Sequence, residues 1–383
     1  MPRRQRARVG LIALYVFVLV AHATAASAQT GATGLAASTL TLETGRQIYE
    51  AGCVSCHGGD GKGQAQTLTG FDPPDTFPDF TDCPTSTSES NVQWRAVISN
   101  GGPARAFSPI MPSFKDLLNA EQIDKAIDYL RGMCKESAWP RGDLNLPRPL
   151  LTEKAFPENE TVIAASVNAR GLPGVSSQVI YEHRLGATAM MEAIVPYDVT
   201  HEHGNWDAAF GDLGLGYKQK LFHSLATGSI VSAGGELTAP TGDRTQGTGG
   251  ESTVFEVFGA YGQLLPGSGF LQVQTGFELP VHPDEMPRAY FLRTAIGKTF
   301  AADGGLGRRW SPMVEVVADR DLVTGAATNW DVVPQIQIPM SKRLHVLGNV
   351  GFKLPANNTA DRPRQVLFYV LWDWLDGGLL QGW

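Results

Sequence analysis

Leu271-Gln-Val-Gln-Thr-Gly-Phe-Glu-Leu-Pro-Val281 places Leu271, Val273, Thr275, Phe277, Leu279 and Val281 on one side of an extended chain. Gln272, Gln274, Gly276, Glu278 and Pro280 fall on the other. A period of two is that of a β-strand with one apolar and one polar face. The pattern recurs outward from this stretch. In Leu344–Leu354 the even positions are apolar apart from Gly348, against His345, Leu347, Asn349, Gly351 and Lys353. In Ala209–Leu221 the odd positions are mainly apolar, with Asp212, Lys218 and Lys220 facing the other way. About twelve strands are expected, near 160–168, 178–185, 188–197, 208–221, 225–238, 253–264, 268–281, 289–300, 309–319, 329–340, 343–354 and 365–374.

The connections between them alternate in length. Gly186-Ala187, Phe222-His223-Ser224, Pro266-Gly267 and Ser341-Lys342 are tight, while 198–207, 239–252, 282–288, 320–328 and 355–364 are longer and polar. Only Ala301–Arg308 blurs the rule. Short turns on one rim and long loops on the other are expected of a transmembrane β-barrel, and an even strand number returns both ends to the short-turn rim. With that topology Tyr197, Trp206, Tyr290 and Trp330 fall at the long-loop rim, and Phe222, Phe300, Trp310, Trp372 and Trp374 at the other. Aromatic girdles of this kind mark the two membrane interfaces. The final strand, Phe368-Tyr-Val-Leu-Trp-Asp-Trp374, and the terminal Trp383 look like an outer-membrane insertion signal. In its pattern, though in no catalytic motif, the region resembles a family of outer-membrane transporters of aromatic-compound pathways. The competing fold is a secreted soluble β-sandwich, whose strands alternate too.

The N-terminus carries Arg3, Arg4, Arg6 and Arg8, an apolar run Val9–Val20, and Ala26-Ser27-Ala28. A basic start, a short apolar core and an A-x-A site make residues 1–28 a secretory signal, cut after Ala28. The apolar run is too short for a bilayer-spanning helix, which needs about 20 residues. Net charge is −7 with no basic run elsewhere, so nucleic acid is excluded as a partner.

Between signal and strands stands Thr44-Gly-Arg-Gln-Ile-Tyr-Glu-Ala-Gly-Cys-Val-Ser-Cys-His-Gly58, which holds C-x-x-C-H at Cys53, Cys56 and His57. Two thiols three positions apart can each form a thioether with a vinyl group of one haem, and the adjacent histidine then lies beneath the iron. A C-x-x-C redox pair does not need the histidine, and a zinc site needs a second ligand pair that is absent from the sequence. The expected cofactor is therefore one covalently bound haem c. Asn119 with Gln122 reads as a capping box, opening a helix whose Ile123, Ala126, Ile127 and Leu130 form one stripe. With the helix before the motif and the Gly58–Gly63 turn after it, residues 41–134 resemble class I cytochromes c. The resemblance implies an all-α fold and a second axial ligand from a methionine-proline loop, matched by Met111-Pro112. Met133 is the competitor, better read as packing at the end of the closing helix. His57 and Met111 would fill both axial positions, which favours electron transfer over catalysis. Trp94 is equally well read as lying near the porphyrin or as ordinary core, and no side chain between Gly70 and Ser90 can be given a role.

Cys83 and Cys134 remain, an even pair in an exported protein, and are candidates for a disulfide or for two separate buried thiols. Residues 135–159 mix proline with charge and read as an extended connector to the β-barrel domain at 160–383. His201-Glu202-His203 lies in an expected long loop without a third ligand, and Thr241–Gly250 reads as a mobile glycine-rich loop. The expectation is a multidomain chain, an all-α cytochrome c domain followed by an antiparallel β-barrel of about twelve strands. It would carry electrons between redox partner proteins in the periplasm, held at outer-membrane lipid by the barrel. A pore or transporter with a haem sensor or plug is the second reading. An exported oxidoreductase using the haem as acceptor, free in the periplasm if the β region is soluble, is the third.

Overall fold

The computed structural model describes residues 41–64, 77–170, 174–202, 205–300, 309–360, 362–375 and 377–381. The signal segment, His203 and Trp383 lie outside them.

Thirteen strands run from β1 to β13: Glu160–Arg170, Gly174–Leu185, Ala189–Glu202, Asn205–Phe210, Leu213–Ser224, Ser229–Ala239, Val254–Leu265, Gly269–Pro280, Ala289–Lys298, Ser311–Asp321, Asn329–Pro339, Val346–Pro355 and Arg364–Asp373. Each pairs antiparallel with its neighbours, and β1 pairs with β13 from Glu160↔Asp373 to Arg170↔Arg364, so the sheet closes on itself. β4 and β5 lie end to end against the single long strand β3, which makes a closed barrel of 12 staves. The strand expected at 208–221 is thus broken at Gly211-Asp212. A Cβ on Gly211 would lie 3.0 Å from the Pro196 Cβ, so the chain passes too close to β3 there to carry a side chain comfortably. The turn expected at 222–224 lies instead at Leu225–Gly228, because β5 continues to Ser224.

Closure pairs the strand edges, and the faces then sort by polarity. Leu215 is 59% exposed on the outside, and Ile163 and Phe352 are exposed there too, whereas Glu315 and Asp331 are 0% exposed within, where Lys218 and Gln272 are also buried. This inverts a soluble sandwich, whose apolar faces are hidden, and matches a barrel with an apolar outer band and polar interior. Tyr197, Trp206 and Trp330 are exposed at the long-loop rim, Phe222, Phe300 and Trp310 at the other.

Among the described residues the N-terminal part has five α-helices: α1 Gly45–Gly52, α2 Val54–His57, α3 Cys83–Ser88, α4 Asn91–Asn100 and α5 Ala120–Arg131. Thr44 with Gln47, Ser90 with Gln93 and Asn119 with Gln122 form capping boxes at α1, α4 and α5. Ile48 of α1 packs with Ile123, Ala126 and Ile127 of α5, the stripe read from sequence. Gly45 makes the crossing possible, since a Cβ there would lie 2.0 Å from the Lys125 carbonyl oxygen. Helices α3 and α4 have no counterpart in the sequence reading, the Cys-Pro-Thr-Ser-Thr-Ser of α3 being poor in helix formers.

The connector runs inside the barrel. Leu144, Ala155 and Phe156 are buried against Ile230, Phe258 and Phe291 of the inner wall. Glu315 accepts the backbone N–H groups of Leu150, Leu151 and Thr152 together with the Thr152 hydroxyl. Gln272 donates to the Pro147 carbonyl, and Asn349 and Tyr369 to that of Arg148. An extended chain without its own hydrogen-bond ladder needs partners for every backbone group, and the polar wall supplies them. Polar-face positions of the wall, Lys218, Lys220 and Gln272 among them, donate to carbonyls of this segment or of the chain leading to it.

Candidate functional site

The motif's geometry follows from two short helices. Tyr49, on the buried side of α1, donates its hydroxyl to the Gly58 carbonyl at 2.6 Å and fixes the end of α2. Gly58 has φ +75° and allows the chain to reverse; Gly63 and Gln64 then donate to the carbonyls of His57 and Cys56 at 2.8 and 3.1 Å. Cys53, Cys56 and His57 are therefore gathered on one turn, clamped on both sides.

Cys53 and Cys56 are free and half-buried. Burial, with the neighbouring Cys56 adding to it, pushes the Cys53 thiol up to about 11. Redox-active C-x-x-C pairs have lowered thiol values, so this environment does not suit thiol–disulfide exchange. Burial pushes His57 down to about 4, leaving a neutral imidazole whose lone pair is available. Its Nδ1 is buried without a hydrogen-bond partner, and the ring lies 5.2 Å from Phe77 and 5.0 Å from Phe80. A buried nitrogen left unpaired among aromatic rings is costly, and two free thiols on the same turn complete a donor set that fits haem c. No cluster of three His, Cys, Asp or Glu suited to a metal ion exists among the described residues. When bound, the haem would supply an iron cycling between ferrous and ferric states.

Met111 stands on a separate loop. Its carbonyl accepts the Gly102 N–H at 3.1 Å, and a Cβ on Gly102 would lie 2.1 Å from the Ser108 carbonyl oxygen and 3.2 Å from the Met111 Cβ. The Gly101-Gly102 pair thus lets this loop fold back on itself, a signal that could have been read from sequence. Met133 packs with Tyr49, Phe80 and Leu130, beside Cys53 and Val54. Trp94 belongs to the core: its ring lies 5.5 Å from Phe80, and the Arg131 guanidinium lies 4.0 Å above it. Phe77 and Phe80 were missed because nothing local distinguishes them in a stretch rich in proline and polar residues. Cys83, at the start of α3, is bonded to Cys134.

The domain is fastened to the short-turn rim. The buried Arg105 guanidinium donates to the Arg343 carbonyl and pairs with Glu89 at 3.2 Å. Arg343 lies 4.7 Å from the Phe107 ring, and Arg309 donates to the Ser90 hydroxyl at 3.2 Å. On the linker side Asn91 donates its N–H to Asp143, and Arg184 of β2 lies 4.4 Å from the Trp139 ring.

His201 is not in a loop but in β3, its ring 4.8 Å from Trp206 on β4, because β3 extends past the expected end to pair with β4. The glycine-rich loop is tied down: Asp212 accepts the N–H groups of Gly242 and Gly250 at 2.8 and 2.7 Å.

Residues 42–133 match the family model for cytochrome c, so this part of the chain is a cytochrome c domain, of the class of haem-bearing electron carriers. No curated protein matches the chain. Among solved structures, the KdgM porin is similar at 9% identity and a TM-score of 0.38, covering 56% of this chain and 98% of its own. An outer membrane channel from Pseudomonas putida F1 is similar at 13% identity and a TM-score of 0.39, covering 59% and 99%. These distant likenesses add nothing to what the strand pairing already shows.

Proposed function

We propose that this chain is a c-type cytochrome that carries electrons in the periplasm while its barrel holds it in the outer membrane. One haem is attached through Cys53 and Cys56, with His57 and Met111 as axial ligands. The observation that carries the reading is the clamped turn, two free thiols beside a buried, neutral and unpartnered imidazole. His/Met ligation raises the haem potential and leaves no open position for substrate. The apolar outer band supports a bilayer location, and the domain's attachment to the short-turn rim supports a periplasmic one. A single haem cannot conduct across roughly 25–30 Å of hydrocarbon. Electrons are therefore exchanged with redox partner proteins in the periplasm, and any route to the exterior needs further haem proteins.

Membrane fractionation with haem staining tests both halves. The haem-stained band is expected in the outer-membrane fraction, with mobility that changes on heating, and protease added to intact cells is expected to spare residues 41–134. Release of the folded protein into the soluble fraction refutes the tether. Gly102→Ala tests the second ligand: it forces the 106–113 loop away, so the low-spin six-coordinate spectrum is expected to weaken and the potential to fall. An unchanged spectrum and potential exclude Met111.

A further inference from the structure

We propose that the barrel is a cation-selective channel held shut by residues 141–159 of its own chain. The segment adds no strand to the sheet, and the wall closes without it through the β1–β13 pairing. Barrels of eight strands are just filled by their own side chains, and a wider one leaves a bore. Here the bore is filled by a strap held through side-chain hydrogen bonds and ion pairs centred on Glu315 and Arg148, and through the apolar contacts of Leu144, Leu146, Ala155 and Phe156. Such contacts can be released with the wall intact.

The wall behind the strap carries an unusual row. Glu182 of β2 pairs with Glu192 of β3, Glu192 with Gly216 of β5, Gly216 with Glu236 of β6, Glu236 with Glu256 of β7, and Glu256 with Glu278 of β8. The alternation turns all of them to the lumen. Like charges directly opposite in a sheet destabilise it, so the row is costly unless a positive partner compensates it. Each end has a cation, Arg293 of β9 attracting Glu236, Glu256 and Glu278 and the strap's Arg148 bonding Glu182 at 2.7 Å, yet the other oxygen of Glu182, which is 0% exposed, has no hydrogen-bond partner. Glu192 is 9% exposed and makes no hydrogen bond or ion pair among the described residues. Its carboxylate leans over Gly216, where a Cβ would lie 2.2 Å from its Oε1. Rows of carboxylates along a pore favour cations. With no cluster among the described residues suited to holding a metal ion, the row suits passage of hydrated cations over capture of one.

The inference rests on the reading that the barrel spans a bilayer, and its test separates the two. Full-length holoprotein is placed in planar bilayers under a KCl gradient. Wild type is expected to be silent, and Glu315→Ala, which removes the anchor of the strap, to conduct with a reversal potential on the cation side. Adding Glu192→Gln, Glu236→Gln and Glu256→Gln to that variant is expected to keep conductance and lose selectivity. Wild type perfused reversibly with urea, which weakens hydrogen-bonded contacts, gives a second route to the open form without mutation. The proposal is overturned by a wild type that conducts with the strap seated, by an opened channel without cation preference, or by silence once a Thr152→Cys reporter has become reagent-accessible. Protein lacking heat-modifiable mobility that never inserts refutes the membrane reading, and the proposal with it.

Discussion

The double variant Cys53→Ala/Cys56→Ala is expected to give no haem-stained band on a denaturing gel, while its barrel retains heat-modifiable mobility. Covalent attachment needs a thioether from each thiol, and no other free cysteine exists among the described residues to replace them. His57→Ala separates attachment from ligation. Its thiols remain, so some haem stays bound to the denatured chain, but the imidazole beneath the iron is gone and the low-spin spectrum is expected to collapse. The barrel is insulated from both changes, since the turn packs with Tyr49, Phe80 and Leu130 inside the N-terminal domain. A double variant that still stains would overturn the attachment, and a His57→Ala protein with the wild-type spectrum would overturn the ligand.

What was legible in the sequence was whatever rests on local period or local chemistry. The alternation around Leu271–Val281 located β8, and its parity correctly put Gln272 and Gln274 on the polar face and Phe277 on the apolar one. Asn119 with Gln122 marked the start of α5 because capping is a contact between residues three apart. What was not legible depends on distant chain segments meeting. Pro147–Thr152 carry no periodicity, and their conformation is dictated by Glu315, Gln335 and Asn349, more than 160 residues away along the chain. A strap satisfied by wall side chains looks like a linker when read alone. Likewise the β4–β5 break answers to Pro196 on another strand, and Phe77 and Phe80 gain meaning only from the turn they pack against. Hydrophobic alternation also says nothing about which face meets water; closure of the sheet decides that.

Removing the Cys83–Cys134 bond is expected to bring the haem domain close to unfolding under conditions where the barrel remains intact. The bond joins residues 51 apart, and closing a loop of that length is worth about 4 kcal/mol in chain entropy. Small domains are commonly stable by only about 5–15 kcal/mol, so the loss is a large share. Two features rest on the same closure. Arg131, near the end of α5, donates to the carbonyls of Ser86 and Glu89, and Phe80, three residues before Cys83, packs against His57. Freeing Cys134 lets the end of α5 fray, and the 77–90 segment loses its fixed partner. Denaturant titration followed by haem absorbance is therefore expected to show a much lower midpoint in Cys83→Ser/Cys134→Ser than in wild type, with the heat-modifiable transition of the barrel unmoved. Because serine leaves a hydroxyl in a buried position, wild type treated with a reductant serves as the matched comparison. If reduction leaves the haem midpoint where it was, the bond does not hold the wall beside His57 in place, and the segment's order must come from Arg131 and the hydrogen bonds it makes.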